Sequence, residues 1–139
     1  MKILTQEWLK AARDDILTIE ELLDNEHLTH IMAFHAEQAV EKCLKAILEE
    51  DRVEFPRIHD LSRLYKLVQG SRHFSIEQQD ILQKLNTLYI DSRYPGEFGL
   101  LPDGKPSLED AKEFYQFAQD IHASVSAMLS RVQENLAEE

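Results

Sequence analysis

Apolar residues recur every three or four positions along most of this chain, the period of a helix that buries one face. Near the N-terminus the stripe is Trp8, Ala12, Ile16, Ile19 and Leu23. It predicts a first helix starting at Thr5, whose hydroxyl would cap the amides of Glu7 and Trp8. Asn25 and Glu26 mark its stop. A second helix is expected from about Leu28 to Glu50, with Ile31, Phe34, Ala39, Cys43, Ala46 and Ile47 inward. A linker over 52–58 contains Pro56. A short third helix follows from about Asp60 to Gln69, with Leu61, Leu64, Tyr65 and Val68 inward and Gly70 as terminator.

The fourth helix is predicted over 75–91, opened by a Ser75–Gln78 capping box, with Ile81, Leu82, Leu85, Leu88 and Tyr89 as its stripe. The fifth begins at Ser107, with Asp110 as box partner, and carries Leu108, Ala111, Phe114, Ala118, Ile121, Val125, Met128 and Val132 inward. No useful length alternates with period two, and no internal repeat is visible. The pattern is that of an all-α bundle, four long helices plus one short one, in a single domain over 1–139. Six of the eight glycines and prolines fall between Pro95 and Pro106, which marks 95–106 as a long loop. The stretch 133–139 reads as an acidic C-terminal tail.

The length, 139 residues, allows one ordinary domain with a real core. A single cysteine, Cys43, excludes an internal disulfide and a tetrathiolate zinc site. Fifteen basic against 26 acidic residues give a formal charge of −11, which argues against general nucleic-acid binding. The charge is uneven. Residues 1–24 sum to −3 and 107–139 to −5, but 40–72 sum to +1 and hold seven of the fifteen basic side chains. A local anion site there is compatible with an acidic whole. The longest runs without Asp, Glu, Lys or Arg reach ten residues, about half a membrane span, and no signal peptide is visible. The expected compartment is the cytoplasm, with no membrane partner.

Three places could carry chemistry. Gln38, Lys42 and Lys45 lie at i, i+4 and i+7 on one face of the second helix, where the lysines could border a groove or simply snorkel, Glu41 pairing with Lys45. His59 stands before Asp60, a plausible cap for the third helix, and could order the turn or serve acid–base chemistry. Arg93 ends the fourth helix and offers a fork for phosphate or carboxylate, or a cation for the helix C-terminus. The six histidines form neither a Glu-x-x-His nor a His-Glu-x-x-His pattern, so no metal is expected.

In order along the chain, these pieces resemble the HEPN family (higher eukaryotes and prokaryotes nucleotide-binding). The resemblance rests on Trp8, Ala12, Asp15 and Ile16; on Phe34 with Gln38-Ala39-Val40-Glu41-Lys42-Cys43-Leu44-Lys45-Ala46; on Pro56 with His59-Asp60-Leu61; and on Tyr89 with Ser92-Arg93-Tyr94-Pro95. It implies an up-and-down helical bundle that commonly dimerises, an association with nucleotides, and a small nucleotidyltransferase as neighbour. Some members are metal-independent ribonucleases of toxin–antitoxin pairs, using an Arg and a later His with four to six residues between them. No histidine stands in that range after Arg93, and the Arg52–His59 spacing lies across the linker.

The expectation is therefore a non-catalytic nucleotide- or protein-binding module, homodimeric, without a cofactor beyond a nucleotide ligand, acting with a nucleotidyltransferase. Its site would comprise Asp15, Gln38, Lys42, Lys45, His59 and Arg93: the basic members hold phosphate, and Asp15 orients one of them or contacts a ribose. One alternative is a ribonuclease toxin using Arg93 with a substituted base, His59 or His122. The other is a structural dimerisation or adaptor protein.

Overall fold

The computed structural model describes the backbone over residues 1–93 and 105–138 and the side chains over 1–89 and 105–131. It is all helical among the described residues: α1 (Ile3–Leu22), α2 (Thr29–Glu50), α3 (Leu61–Ser71), α4 (Gln79–Arg93) and α5 (Leu108–Glu138), with a 3-10 turn at Glu26–Leu28. Four long helices and one short one match the pattern of apolar positions. The 95–106 loop lies largely outside the described residues. The segment 133–138, expected as a tail, continues the backbone of α5.

α2 is the axis of the bundle and packs against all four other helices. Fourteen of its 22 residues are buried, more than one apolar stripe can supply, because neighbours cover it on several sides. Met32, Ala36, Val40, Cys43, Leu44 and Leu48 meet Ile16 and Ile19 of α1, Leu64 and Val68 of α3, Leu85 of α4, and Phe114 and Val125 of α5 in one core. Cys43 is fully enclosed, and burial pushes its thiol far above the ordinary range, consistent with a small core residue.

Several ends differ from the sequence expectation, each for a tertiary reason. α1 starts at Ile3, not after Thr5. Glu50, at the far end of α2, accepts from the Lys2 amide at 2.9 Å and from the Thr5 hydroxyl at 3.0 Å. A carboxylate at a helix N-terminus is favourable, and here another helix supplies it. Ser75 and Gln78 form no capping box, since α4 starts at Gln79. Ile76 is instead drawn into the core, its amide donating to the Tyr65 hydroxyl at 2.8 Å. Gly70 does not end α3, which runs on to Ser71. Asp60 and Ser107 do cap as expected, accepting from the amides of Arg63 at 3.3 Å and Asp110 at 3.0 Å.

α2 ends without glycine. Arg52 takes the left-handed conformation at φ 56°, its amide donates to the Glu49 carbonyl at 3.2 Å, and the Val53 amide reaches the Leu48 carbonyl at 2.9 Å. These are the two bonds of a Schellman cap, a position where glycine usually stands. The cap turns the linker back along the bundle, where Phe55 meets Trp8 edge-on at 6.4 Å. At the linker's other end, Asn86 of α4 accepts from the Leu61 amide and donates to Asp60, each at 3.0 Å. The linker is pinned at both ends, which fixes His59 between them.

Candidate functional site

The polar residues of α2 are organised by two carboxylates. Asp15 of α1 faces α2 across the helix seam. Its Oδ1 lies 2.9 Å from His35 Nδ1, and its Oδ2 accepts from Lys42 Nζ at 2.7 Å. His35 and Lys42, seven residues apart, share one side of α2. Glu41, on the adjoining side, repeats the arrangement: Oε1 lies 2.9 Å from His59 Nδ1, and Oε2 accepts from Lys45 Nζ at 3.0 Å. A carboxylate can only accept, so Nδ1 carries the proton in both histidines. Neither Nε2 has a partner among the described residues, so each imidazole keeps a nitrogen available to a ligand.

Four rings join the two arrays. Phe34 meets His35 edge-on at 5.3 Å and stacks on Tyr89 of α4 at 5.7 Å, while His59 lies 5.5 Å from Tyr89. Phe34 was expected inward, but it is 40% exposed. It stands at the margin of the apolar stripe, where Tyr89 covers it only in part. Ile31, also expected inward, is half-buried.

Behind the Glu41 array lies Glu37, fully buried. Gln38 Nε2 donates to its Oε2 at 2.8 Å, and its Oε1 has no partner among the described residues. Burial, with the neighbouring Glu41 charge, pushes its pKa up to about 9, so it is an uncharged acid at neutral pH. Glu41 receives from Lys45 and His59, one on each oxygen, which explains how its carboxylate is tolerated at 4% exposure.

Of the expected site residues, Asp15, Gln38, Lys42, Lys45 and His59 all fall on or beside α2, in adjoining groups rather than around one point. Arg93 closes α4 one turn after Tyr89, and its side chain lies outside the described residues. Lys42 and Lys45 are each paired with a carboxylate, and Lys45 also lies 5.5 Å over the Trp8 ring. His122 is turned away from this region: its Nε2 donates to the Leu9 carbonyl at 3.1 Å, on the α1–α5 seam. The sequence reading did not single out His35 or Glu37. The spacing of His35 seven before Lys42 was the available signal; nothing local marks Glu37.

Among the described residues, no group of three or more His, Cys, Asp or Glu could hold a metal ion. No described helix is long and apolar enough to cross a membrane.

A family model for the HEPN domain matches residues 5–135 of this chain. The fold is similar to the crystal structure of an archaeal HEPN homologue, with a TM-score of 0.65 and 26% identity over 92% of this chain and 98% of that one. A crystal structure of a Thermus thermophilus protein shares the fold at a TM-score of 0.69, with 22% identity over 88% of this chain and 96% of that one. No curated protein matches.

Proposed function

Since the chain belongs to the HEPN domain family, we propose that it is a non-catalytic nucleotide-binding module, a cytoplasmic homodimer paired with a small nucleotidyltransferase in a toxin–antitoxin-like system. The observation that carries the reading is the double array on α2. Two histidines, each held through Nδ1 by a buried carboxylate and with Nε2 unpartnered among the described residues, lie against the stacked rings of Phe34 and Tyr89. Groups with fixed tautomer and orientation are what a small polar ligand needs, because little freedom is lost when it binds. Asp15, Gln38, Lys42, Lys45, His59 and Arg93 form this site in the proposal, with His35 and Phe34 added. Saturation at 100 times Kd should raise folding stability by about 2.7 kcal/mol. Thermal melts with each nucleotide test this; no shift with any of them would leave a structural adaptor.

One observation favours a second reading, a metal-independent ribonuclease. Glu41 holds His59 as a carboxylate holds a general base, and Tyr89 beside it lies one turn before Arg93. A base from the linker would then replace the absent histidine after Arg93. RNA cleavage in the presence of chelator, lost in both Arg93→Ala and His59→Gln, would establish it. No cleavage by the unaltered protein would end it.

A further inference from the structure

The nucleotide reading leaves open which part of the ligand the site grips, and the structure speaks to this through Phe34. α2 is the most enclosed helix, yet Phe34 on it is 40% exposed. The ring is not loose. Tyr89 lies against it at 5.7 Å with 24° between the planes, and His35 meets it at 5.3 Å and 83°. Tyr89 itself is 8% exposed, so it backs the ring from the protein side. A pinned aromatic ring with part of its surface in water is a preorganised stacking surface, since its ordering entropy is already lost on folding.

The nearby lysines tell the complementary half. Lys42 lies 2.7 Å from Asp15, and Lys45 is buried 3.0 Å from Glu41 and beside the Trp8 ring. The charge of each lysine is already matched by a carboxylate, so neither offers a phosphate an unbalanced cation. With Glu37 uncharged, Asp15 and Glu41 balance the two lysines, so these groups give no surplus positive charge when the imidazoles are neutral. What remains for a ligand is a π surface and two Nε2 acceptors of fixed orientation.

We infer that Phe34 is the seat of the planar base of an unpaired nucleotide, gripped by stacking and by edge N–H donation to the His35 or His59 Nε2, with the phosphate secondary. This deepens the nucleotide-binding reading and rests on it. A base within a duplex has both faces covered, so the ligand is a mononucleotide or a single strand.

The test is a titration of the full chain, by calorimetry and by proton NMR of the Phe34 ring. The ligands are the four ribonucleoside 5′-monophosphates, the matching nucleosides, and inorganic pyrophosphate. At least one nucleoside should bind within about threefold of its nucleotide, with little dependence on salt, and pyrophosphate should not bind. Phe34→Leu keeps apolar bulk without a π face and should weaken that nucleoside roughly tenfold or more, whereas Phe34→Trp should retain it. Nucleotides and pyrophosphate that bind while nucleosides do not, with Phe34→Leu unaltered, would overturn this inference and leave the nucleotide reading standing. Binding of none of them would remove the nucleotide reading itself. Loss of a dimer in Phe34→Leu on sedimentation, with nucleoside binding unchanged, would assign the ring to an interface between copies and also overturn it.

Discussion

The two carboxylate arrays on α2 use the same three kinds of group, an acid between a histidine and a lysine, and yet they are built differently. Asp15 reaches α2 from another helix, so its bonds to His35 and Lys42 fasten the α1–α2 seam. Glu41 and Lys45 belong to the same helix, one turn apart, and the only foreign member is His59 from the linker. The Asp15 array has its lysine and histidine partly in water, at 24% exposure each; Lys45 is at 9%, with its carboxylate more deeply enclosed. Identical chemistry thus serves as a fastener where it joins helices. Where it is internal to one helix, it is a buried mount for an exposed imidazole.

Removing one partner of each array separates these roles. The largest effect is expected for Glu41→Leu, which strands Lys45 without its carboxylate among apolar neighbours and should cost about 3–5 kcal/mol in urea unfolding. Asp15→Leu frees Lys42 to turn to water and should cost clearly less, about 1–2 kcal/mol. Equal losses would break the distinction.

Glu37 gives the next effect, in the opposite direction. Its folded pKa of about 9 lies above the ordinary carboxylate value of 4.5, so the folded state holds a proton that the unfolded state releases. That contribution is fully present below pH 4.5 and is lost as pH rises towards 9. Glu37→Gln cannot ionise and keeps nearly the same shape. Its advantage over the parent should grow by about 1 kcal/mol per pH unit between about pH 5 and pH 8. Melts at three pH values read this; a constant difference would mean that Glu37 is not protonated in the fold.

The smallest effect is expected at the mounted group itself. His59→Gln, at a side chain 40% exposed, should change stability by no more than about 0.5 kcal/mol. Its consequence should appear in ligand titration instead. A large stability loss would make His59 another fastener and remove the contrast.

The helices were legible in the sequence because their apolar stripes hold a constant period and the breakers cluster between them. What failed to show were the ends set by distant residues. Glu50 starts α1 from 48 positions away, and Tyr65 takes the Ile76 amide before α4 begins. The candidate site was readable in its members but not in its wiring. Gln38, Lys42 and Lys45 follow from helical spacing, and the Glu41–Lys45 pair was visible. That Asp15 would take Lys42, and that the linker would bring His59 onto Glu41, depend on how helices pack. Phe34 looked inward because a stripe's edge and its centre have the same spacing.

The buried acid also alters what a calorimeter would see. At pH 7 the formal charge of −11 counts 26 ionised carboxylates, but with Glu37 protonated the folded chain carries 25, and −10. Unfolding then releases a proton that the buffer must absorb. The measured heat of unfolding should therefore differ between phosphate and Tris by close to the difference in their ionisation enthalpies, and Glu37→Gln should abolish that share of the difference.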